Sequence, residues 1–229
     1  MTILYEDRSV IAIDKPRGWM LLPVSWQNTG HNLQAAINSS IGNGDFWSRS
    51  RGLKYLRYVH RLDADTTGVL LFAKSPGALE SFGELFESRQ MEKMYLAVTA
   101  IEPREIEWTS QMALAPDPMR IGRMIVDAID GKPSETHFRV LEKIAGLTLL
   151  ECKPVTGRTH QIRVHLMETG YSIVSDELYG RQIGTLNFGL RAVRLAYNDP
   201  FTKRRVEINA PTKYFLREYG FKAFIEPKK

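Results

Sequence analysis

The chain contains the stretch His60-Arg61-Leu62-Asp63-Ala64-Asp65-Thr66-Thr67-Gly68, followed by the apolar run Val69-Leu70-Leu71-Phe72-Ala73. Such an apolar run is typical of a buried strand, and the polar residues before it predict a turn that leads into that strand. Asp63 therefore lies in a turn beside two cationic groups, an arrangement that fixes one carboxylate in a cleft. A second stretch, free of acid, reads Thr156-Gly157-Arg158-Thr159-His160-Gln161-Ile162-Arg163-Val164-His165. We expect the carboxylate and this cationic helix face to pair across a cleft.

Short strands dominate the pattern along the rest of the chain. We predict strands at residues 3–5, 10–13, 94–100, 124–128, 136–141, 147–153, 193–196 and 206–208. Helices are predicted at residues 32–41, 75–90, 159–169 and around 214–218. Residues 14–18 and 131–133 are predicted as turns built on Pro and Gly, which places Lys15 on a loop outside the core. Because most strands follow one another directly, the sequence favours an α+β fold over a doubly wound sheet.

Composition places the chain among ordinary globular proteins. With 229 residues, 43% hydrophobic and 25% charged, we expect one domain with two lobes. No apolar run approaches the roughly 20 residues of a membrane-spanning helix. The first residues predict a strand rather than a signal peptide, which favours a cytoplasmic location. The single cysteine, Cys152, excludes an intrachain disulfide and a multi-cysteine zinc site.

The charge is modestly positive and unevenly distributed. The net charge is +5, and the pI is about 9.3. Five Arg or Lys and no acid fall between Arg49 and Arg61, with Tyr55 and Tyr58 among them. A cationic strip with aromatic residues suits phosphate contacts and base stacking, although taken alone it is more typical of a solvated surface.

Several classes of site are excluded by spacing. His160 and His165 are the only close histidine pair, and on a helix they are about 140° apart, so they cannot chelate one metal ion. The sequence has no Gly-x-Ser-x-Gly elbow of a serine hydrolase and no Gly-Lys-Ser/Thr of a nucleotide-binding loop. What remains is a site with one Asp and with neither metal nor cofactor.

Residues 60–74 and 153–165 closely resemble the RluA-type RNA pseudouridine synthases, whose hallmark is His-Arg-Leu-Asp followed by Thr, Gly and an apolar strand. Four further matches occur in the family's order. These are Lys15-Pro16-Arg17-Gly18, Lys93-Met94-Tyr95-Leu96-Ala97-Val98, Gly131-Lys132-Pro133-Ser134-Glu135-Thr136 and Tyr179-Gly180. An ordered set is far more specific than one tetrapeptide. The resemblance covers nearly the whole chain, from Ile3 to about Phe215.

The resemblance implies the pseudouridine synthase fold: a mixed, largely antiparallel bent sheet flanked by helices, with a cleft across its middle. Residues 1–229 then form a single catalytic domain. It also implies an isomerase that breaks the glycosidic bond of a uridine in RNA, turns the base and rejoins it through carbon 5. This chemistry needs neither metal nor cofactor.

The same resemblance assigns the site residues. Asp63 matches the essential aspartate, which either attacks the sugar or abstracts a sugar proton, and Arg163 matches the arginine that pairs with it. Tyr95 matches the tyrosine that stacks on the uracil. Arg61 matches the arginine that fills the space left by the flipped-out nucleotide. Further candidates for RNA or pocket contacts are His60, Lys15, Arg158, His160 and Gln161.

Some segments depart from the family pattern, namely Gly170-Tyr171-Ser172-Ile173-Val174-Ser175-Asp176 and Ala192-Val193-Arg194-Leu195-Ala196-Tyr197. We expect these departures to affect substrate choice and local loop shape more than the chemistry. The sequence begins at the first catalytic strand, so we expect no S4 RNA-binding module, and we expect a monomer that selects a stem-loop of tRNA or rRNA by itself. Two alternatives stay open: a non-catalytic RNA-binding protein on the same fold, and a nucleoside-cleaving hydrolase.

Overall fold

Eleven strands and five helices occur in the part of the chain that the computed structural model describes, residues 2–21, 30–144 and 146–222. In chain order they are β1 (Thr2–Glu6), β2 (Val10–Lys15), α1 (Leu33–Gly42), α2 (Phe46–Arg49), β3 (Arg57–Tyr58), β4 (Thr67–Ala73), α3 (Pro76–Glu87), β5 (Glu92–Thr99), β6 (Glu107–Pro116), β7 (Met124–Val126), β8 (Lys132–Ile144), β9 (Leu147–Pro154), α4 (Gln161–Glu168), β10 (Leu190–Asn198), β11 (Arg205–Asn209) and α5 (Lys213–Tyr219).

The chain divides into two compact units. Unit 1 comprises Met1–Glu92 and Arg194–Ala210, and unit 2 comprises Lys93–Val193 and Pro211–Lys229. Asp63 therefore belongs to unit 1, whereas Tyr95 and Arg163 belong to unit 2. That residues 1–229 act as one catalytic domain stays a prediction.

Unit 1 is built around β4, whose last six residues are all buried. Strand β2 pairs antiparallel with both β1 and β4, and β3 pairs antiparallel with β4. Helix α3 begins at Ser75, whose side chain accepts a hydrogen bond from the backbone N–H of Ala78. Its residue Phe82 is fully buried and packs in one apolar cluster with Leu71 and Tyr197. The continuous apolar run of β4 thus reflects burial of both faces of the strand.

Unit 2 contains the antiparallel strand order β5-β9-β8-β6-β7. Alternate residues of β5 enter two different apolar clusters. Leu96 packs with residues of α5 such as Phe215, and Ala97 packs with Ile162 and Leu166 of α4. A helix therefore covers each face of this sheet, and the strand predicted at residues 94–100 is confirmed as β5.

The predicted α+β fold on a largely antiparallel sheet is confirmed, with three local corrections. Lys15 is not on a loop outside the core: it is the last residue of β2 and is fully buried. Pro133 is not in a turn but in β8, opposite Ala113. Strand β6 was missed because only three of its ten residues are buried and its polar residues interrupt the apolar alternation that marks a strand.

Candidate active site

Asp63 lies half-buried in the turn between β3 and β4. The turn closes through a hydrogen bond of 3.2 Å from the backbone N–H of Thr66 to the carbonyl of Asp63. A second bond, of 2.9 Å, joins the N–H of Gly18 to the carbonyl of Ala64. The backbone around the carboxylate is therefore tied to the loop that follows β2.

The buried Lys15 also fixes the turn that contains Asp63. Its Nζ donates to the carbonyls of Ala64, Thr66 and Pro16 at 2.6, 2.9 and 3.0 Å. Burial lowers the pKa of Lys15 to about 8, although the negative charges of Asp65 and Asp63 oppose this shift. Because all three Nζ hydrogen bonds go to the backbone, Lys15 holds the Asp63 turn, and its contact with RNA stays a prediction.

The two residues at the start of the hallmark motif differ in environment. His60 stacks on Phe86 with ring centroids 4.7 Å apart, and its Nε2 accepts a hydrogen bond of 3.2 Å from the N–H of Leu71. This gives His60 a packing role in unit 1. Arg61 is exposed, as contact with an RNA requires.

Tyr95 lies half-buried on β5, opposite Cys152 of β9. Its ring packs at the edge of the cluster that contains Ala97 and Ile162. Tyr95 therefore shares its sheet face with α4, the helix that carries Arg163.

Arg163 is 8% exposed and forms a two-pronged ion pair within unit 2. Its Nε and Nη2 donate to Oδ2 and Oδ1 of Asp176, both at 2.8 Å. Its guanidinium carbon also lies 5.0 Å from the ring centroid of Tyr179 and 5.1 Å from that of Phe188, within cation–π distance. The pairing of Arg163 with Asp63 stays a prediction.

Tyr179 links this arginine to the start of α4. Its hydroxyl accepts a hydrogen bond of 2.7 Å from the N–H of Met124 and shares a second one, of 2.8 Å, with Nδ1 of His160. His160 precedes α4 with a left-handed backbone, φ 55°, which is uncommon for a residue other than glycine. Such conformations concentrate at functional sites.

Gln161 is buried and braces the loop before α4. Its Oε1 accepts from Oγ1 of Thr156 and from the N–H of Arg158, and its Nε2 donates to the carbonyl of Glu135 and Oγ1 of Thr136. These hydrogen bonds within the protein set the geometry of the loop, and the contact of Gln161 with RNA or with the pocket stays a prediction.

Arg158 lies in the braced loop and lines an open groove of about 330 Å³. Its Nε donates to the carbonyl of Pro133 at 3.2 Å. Gly157 and Thr159 line the same groove, together with residues of β6 and β7. Arg158 therefore keeps its place among the candidates for RNA contact.

Asp176, Tyr179 and Phe188 were not predicted from the sequence as neighbours of Arg163. Tyr179 was noted only as part of the Tyr-Gly match, and Asp176 only at the end of a departing segment. Their proximity to Arg163 depends on how the chain returns after α4, which no local pattern encodes.

Among residues 2–21, 30–144 and 146–222, no three His, Cys, Asp or Glu side chains form a group that could hold a metal ion. Within those ranges, too, no helix has the length and apolar character needed to cross a membrane.

Comparison with known proteins identifies the family. Residues 9–168 match the family model described as RNA pseudouridylate synthase. Over 226 residues the chain is 36% identical to ribosomal large subunit pseudouridine synthase C of Salmonella typhimurium, an alignment that covers 94% of this chain and 67% of that protein. The protein of the same name from Escherichia coli strain K12 is 36% identical over 220 residues, with 91% and 66% covered. The chain thus spans about two thirds of the length of these relatives.

Solved structures agree with the sequence relatives. Human RNA Pseudouridylate Synthase Domain Containing 1 superposes with a TM-score of 0.72 at 26% identity, covering 95% of this chain and 85% of that one. Human RNA Pseudouridylate Synthase Domain Containing 4 gives a TM-score of 0.74 at 22% identity, with 95% and 92% covered, which supports the fold. The chain therefore belongs to the RNA pseudouridylate synthase family and is an isomerase of the pseudouridine synthase class.

Proposed function

We propose that this isomerase converts a uridine of large-subunit ribosomal RNA to pseudouridine, with Asp63 as its essential residue. The name that the relatives carry supports ribosomal RNA over the tRNA alternative. The observation that carries the role of Asp63 is its position in a turn whose backbone a buried lysine fixes with hydrogen bonds. A group that must meet one sugar atom of a bound nucleotide benefits from such a fixed backbone.

The reaction begins when the bond between ribose carbon 1′ and uracil N1 breaks. Asp63 acts as a carboxylate, either by attacking the sugar or by taking a sugar proton, so it must be ionised. In our proposal Arg163 keeps it ionised by supplying a nearby positive charge. Asp176, through its two hydrogen bonds to Arg163, sets the plane of that guanidinium.

Two further residues, Tyr95 and Arg61, are proposed to contact the RNA around the target uridine. We assign Tyr95 to stacking on the uracil, where its hydroxyl oxygen can also accept the carbon-5 proton after rejoining while its own proton passes to water. The exposed Arg61 occupies the gap left in the RNA when the uridine is flipped out. Flipping costs on the order of a few kcal/mol, which contacts between phosphates and the cations at residues 49–61 offset.

We infer that the protein acts as a monomer in the cytoplasm and recognises a stem-loop. The departures at Ser172, Ser175 and residues 192–197 are the places where we expect the choice of uridine to differ from that of relatives.

Release of tritium from ribosomal RNA labelled at uridine carbon 5 tests this proposal. The wild-type enzyme should release tritium and leave the RNA chain intact. Asp63→Asn should reduce release to background, while Asp65→Asn, a change of an exposed carboxylate in the same turn, should not. RNA binding without tritium release would favour the non-catalytic RNA-binding protein. Abasic sites in the RNA would favour the nucleoside-cleaving hydrolase. Turnover retained by Asp63→Asn would refute the role of that residue.

A further inference from the structure

Lys93 is a half-buried cation on β5 that no carboxylate neutralises among the residues that the structure describes. Its Nζ donates one hydrogen bond, of 2.7 Å, to the carbonyl of Thr156. Burial lowers the pKa of Lys93 to about 8, with no neighbouring charge contributing to the shift. An ammonium group that is removed from water and left without a counter-ion is costly, so such groups concentrate where an anion binds.

The position of this ammonium group is fixed. The carbonyl that it contacts belongs to Thr156, whose hydroxyl donates to Gln161 and accepts from the N–H of Glu135. A Cβ at Gly157 would lie 3.7 Å from Nζ, at ordinary van der Waals distance, so Gly157 borders the ammonium group. Two of its three protons remain directed away from the Thr156 carbonyl.

Lys93 shares a sheet face with Tyr95. Residues two apart on a strand point the same way, and their Cβ atoms are about 7 Å apart. Both side chains are half-buried. A planar group stacked on the ring of Tyr95 therefore lies within reach of the four-carbon side chain of Lys93.

We propose that Lys93 is a catalytic residue that stabilises the uracil anion formed when the glycosidic bond breaks. This inference rests on the proposed function, in which Tyr95 contacts the uracil. The electron pair of the bond from carbon 1′ to N1 passes to N1, and the charge spreads over N1, O2 and O4 of the base. Lys93 Nζ donates a hydrogen bond to one of these atoms and keeps its proton, and the interaction weakens again when carbon 5 bonds to carbon 1′ and the charge is lost. A donor that gains strength only as charge develops lowers the barrier.

An RNA phosphate is the other anion that could meet Lys93. Proteins bind phosphates in positions with several donors and mostly on exposed cations, because the charge is permanent and well hydrated. A single, half-buried ammonium beside an aromatic ring fits a flat anion with delocalised charge better. A phosphate contact and a contact with the uracil anion would change the kinetics of a Lys93 variant in different ways.

The test compares Lys93→Met and Lys93→Arg with Lys143→Met, a lysine of the same unit that forms a surface ion pair with Glu102. Under single-turnover conditions with ribosomal RNA, Lys93→Met should lower the rate at saturating enzyme by about 10²–10³-fold, the range for loss of one donor to a developing anion. The affinity for RNA should change little. Lys143→Met should match the wild type in both.

A pH profile gives a readout that a purely structural role does not move. The wild-type rate should fall as the pH rises through about 8, because Lys93 then loses the proton that it donates in the hydrogen bond. Lys93→Arg keeps its charge at every accessible pH. It should retain part of the rate, and its profile should lack the fall near pH 8. This variant also decides the question if Lys93→Met does not fold.

Three results would overturn the inference. One is a Lys93→Met rate within about threefold of wild type. Another is weaker RNA binding with a smaller salt dependence at an unchanged rate, which indicates a phosphate contact. The third is a fall near pH 8 that persists in Lys93→Arg. If the wild type itself forms no pseudouridine, the proposed function fails instead, so the two failures are distinguishable.

Discussion

Arg163 and Asp176 form a parallel pair of hydrogen bonds, each of 2.8 Å, between buried side chains thirteen residues apart. Asp176 is completely buried, and its Oδ1 also accepts hydrogen bonds from the N–H groups of Leu178 and Tyr179. The carboxylate is thus anchored to the backbone before it contacts the guanidinium. Bidentate pairs fix the orientation of an arginine as well as its charge. The direction in which Arg163 can serve a substrate is therefore set by a residue outside the hallmark motifs.

Asp176→Asn removes the negative charge with almost no change in volume. It leaves Arg163 buried without this partner, so we expect the free energy of unfolding to fall by about 3–5 kcal/mol. Urea denaturation measures this change, and the rate of pseudouridine formation should also fall because the guanidinium loses its fixed plane. Glu102→Gln breaks an exposed pair with Lys143 and should cost less than about 1 kcal/mol. Equal losses in the two variants would contradict the role given to Asp176.

Gly180 keeps Asp176 in place because it has no side chain. A Cβ there would lie 2.8 Å from the carbonyl oxygen of Ile173 and 3.3 Å from Cβ and the carbonyl oxygen of Asp176. Gly180→Ala should therefore shift the backbone, lower stability by about 1–3 kcal/mol and reduce activity through Arg163.

The matched control for this glycine is Gly83→Ala in α3. No atom lies within 4 Å of the corresponding Cβ position, so the added methyl group meets open space. Alanine in a helix interior should raise stability by about 0.5–1 kcal/mol. Thermal unfolding with circular dichroism compares the two, and a stabilising Gly180→Ala would contradict the steric argument.

Local pattern was sufficient for most elements of this fold. Helix α3 could be predicted because Ser75 caps it and Pro76 begins it, and β5 because its alternation is regular. Asp63 and Tyr95 were assigned through ordered motifs. These features depend on neighbours within a few residues, which a sequence displays directly.

The features that could not be predicted from the sequence depend on contacts between residues far apart in the chain. Lys15 looked like a loop lysine because charge normally means exposure, yet carbonyls about fifty residues away satisfy it in the core. The bracing of the loop by Gln161 could not be predicted, because its partners Glu135 and Thr136 lie about 25 residues earlier in the chain. Lys93 could not be recognised as a half-buried cation because the loop around Thr156 contacts it only in the folded chain.

Lys15 makes stability depend on pH in a predictable direction. Its pKa is about 8 in the folded protein and about 10.5 in the unfolded chain, so between these values the unfolded chain binds more protons. The free energy of unfolding should then rise with pH between about 8 and 10.5, by up to about 3 kcal/mol. Lys15→Met should lack this contribution.

Urea denaturation at a series of pH values measures the effect as a difference between wild type and variant. The control is Lys54→Met, a change of an exposed lysine of the same unit, which should preserve the slope. If Lys15→Met shows the same increase with pH as the wild type, the buried lysine is not its source.

The basic segment of unit 1 should carry salt-dependent RNA binding. Arg49, Lys54 and Arg57 are exposed, whereas Arg51 is held by Glu6 at 2.9 Å. Each cation that contacts a phosphate releases a counter-ion, so RNA binding weakens as the salt concentration rises. Per contact, the slope of the logarithm of the binding constant against the logarithm of the salt concentration steepens by about 0.7–0.9. Replacing the three exposed cations with Gln should therefore reduce the slope by about 2 to 3. The rate at saturating enzyme should not change, because these residues act on binding.

Filter binding of ribosomal RNA across a range of salt concentrations measures this slope. The control replaces Lys213 and Arg217, two exposed cations of α5 in unit 2, with Gln. It lowers the net charge by two, close to the three removed by the test variant, so any effect of total charge appears in both. A loss of slope confined to the Arg49, Lys54 and Arg57 variant would locate the phosphate contacts in this segment. Equal small losses in both variants would instead mean that the strip between residues 49 and 61 is an ordinary solvated surface.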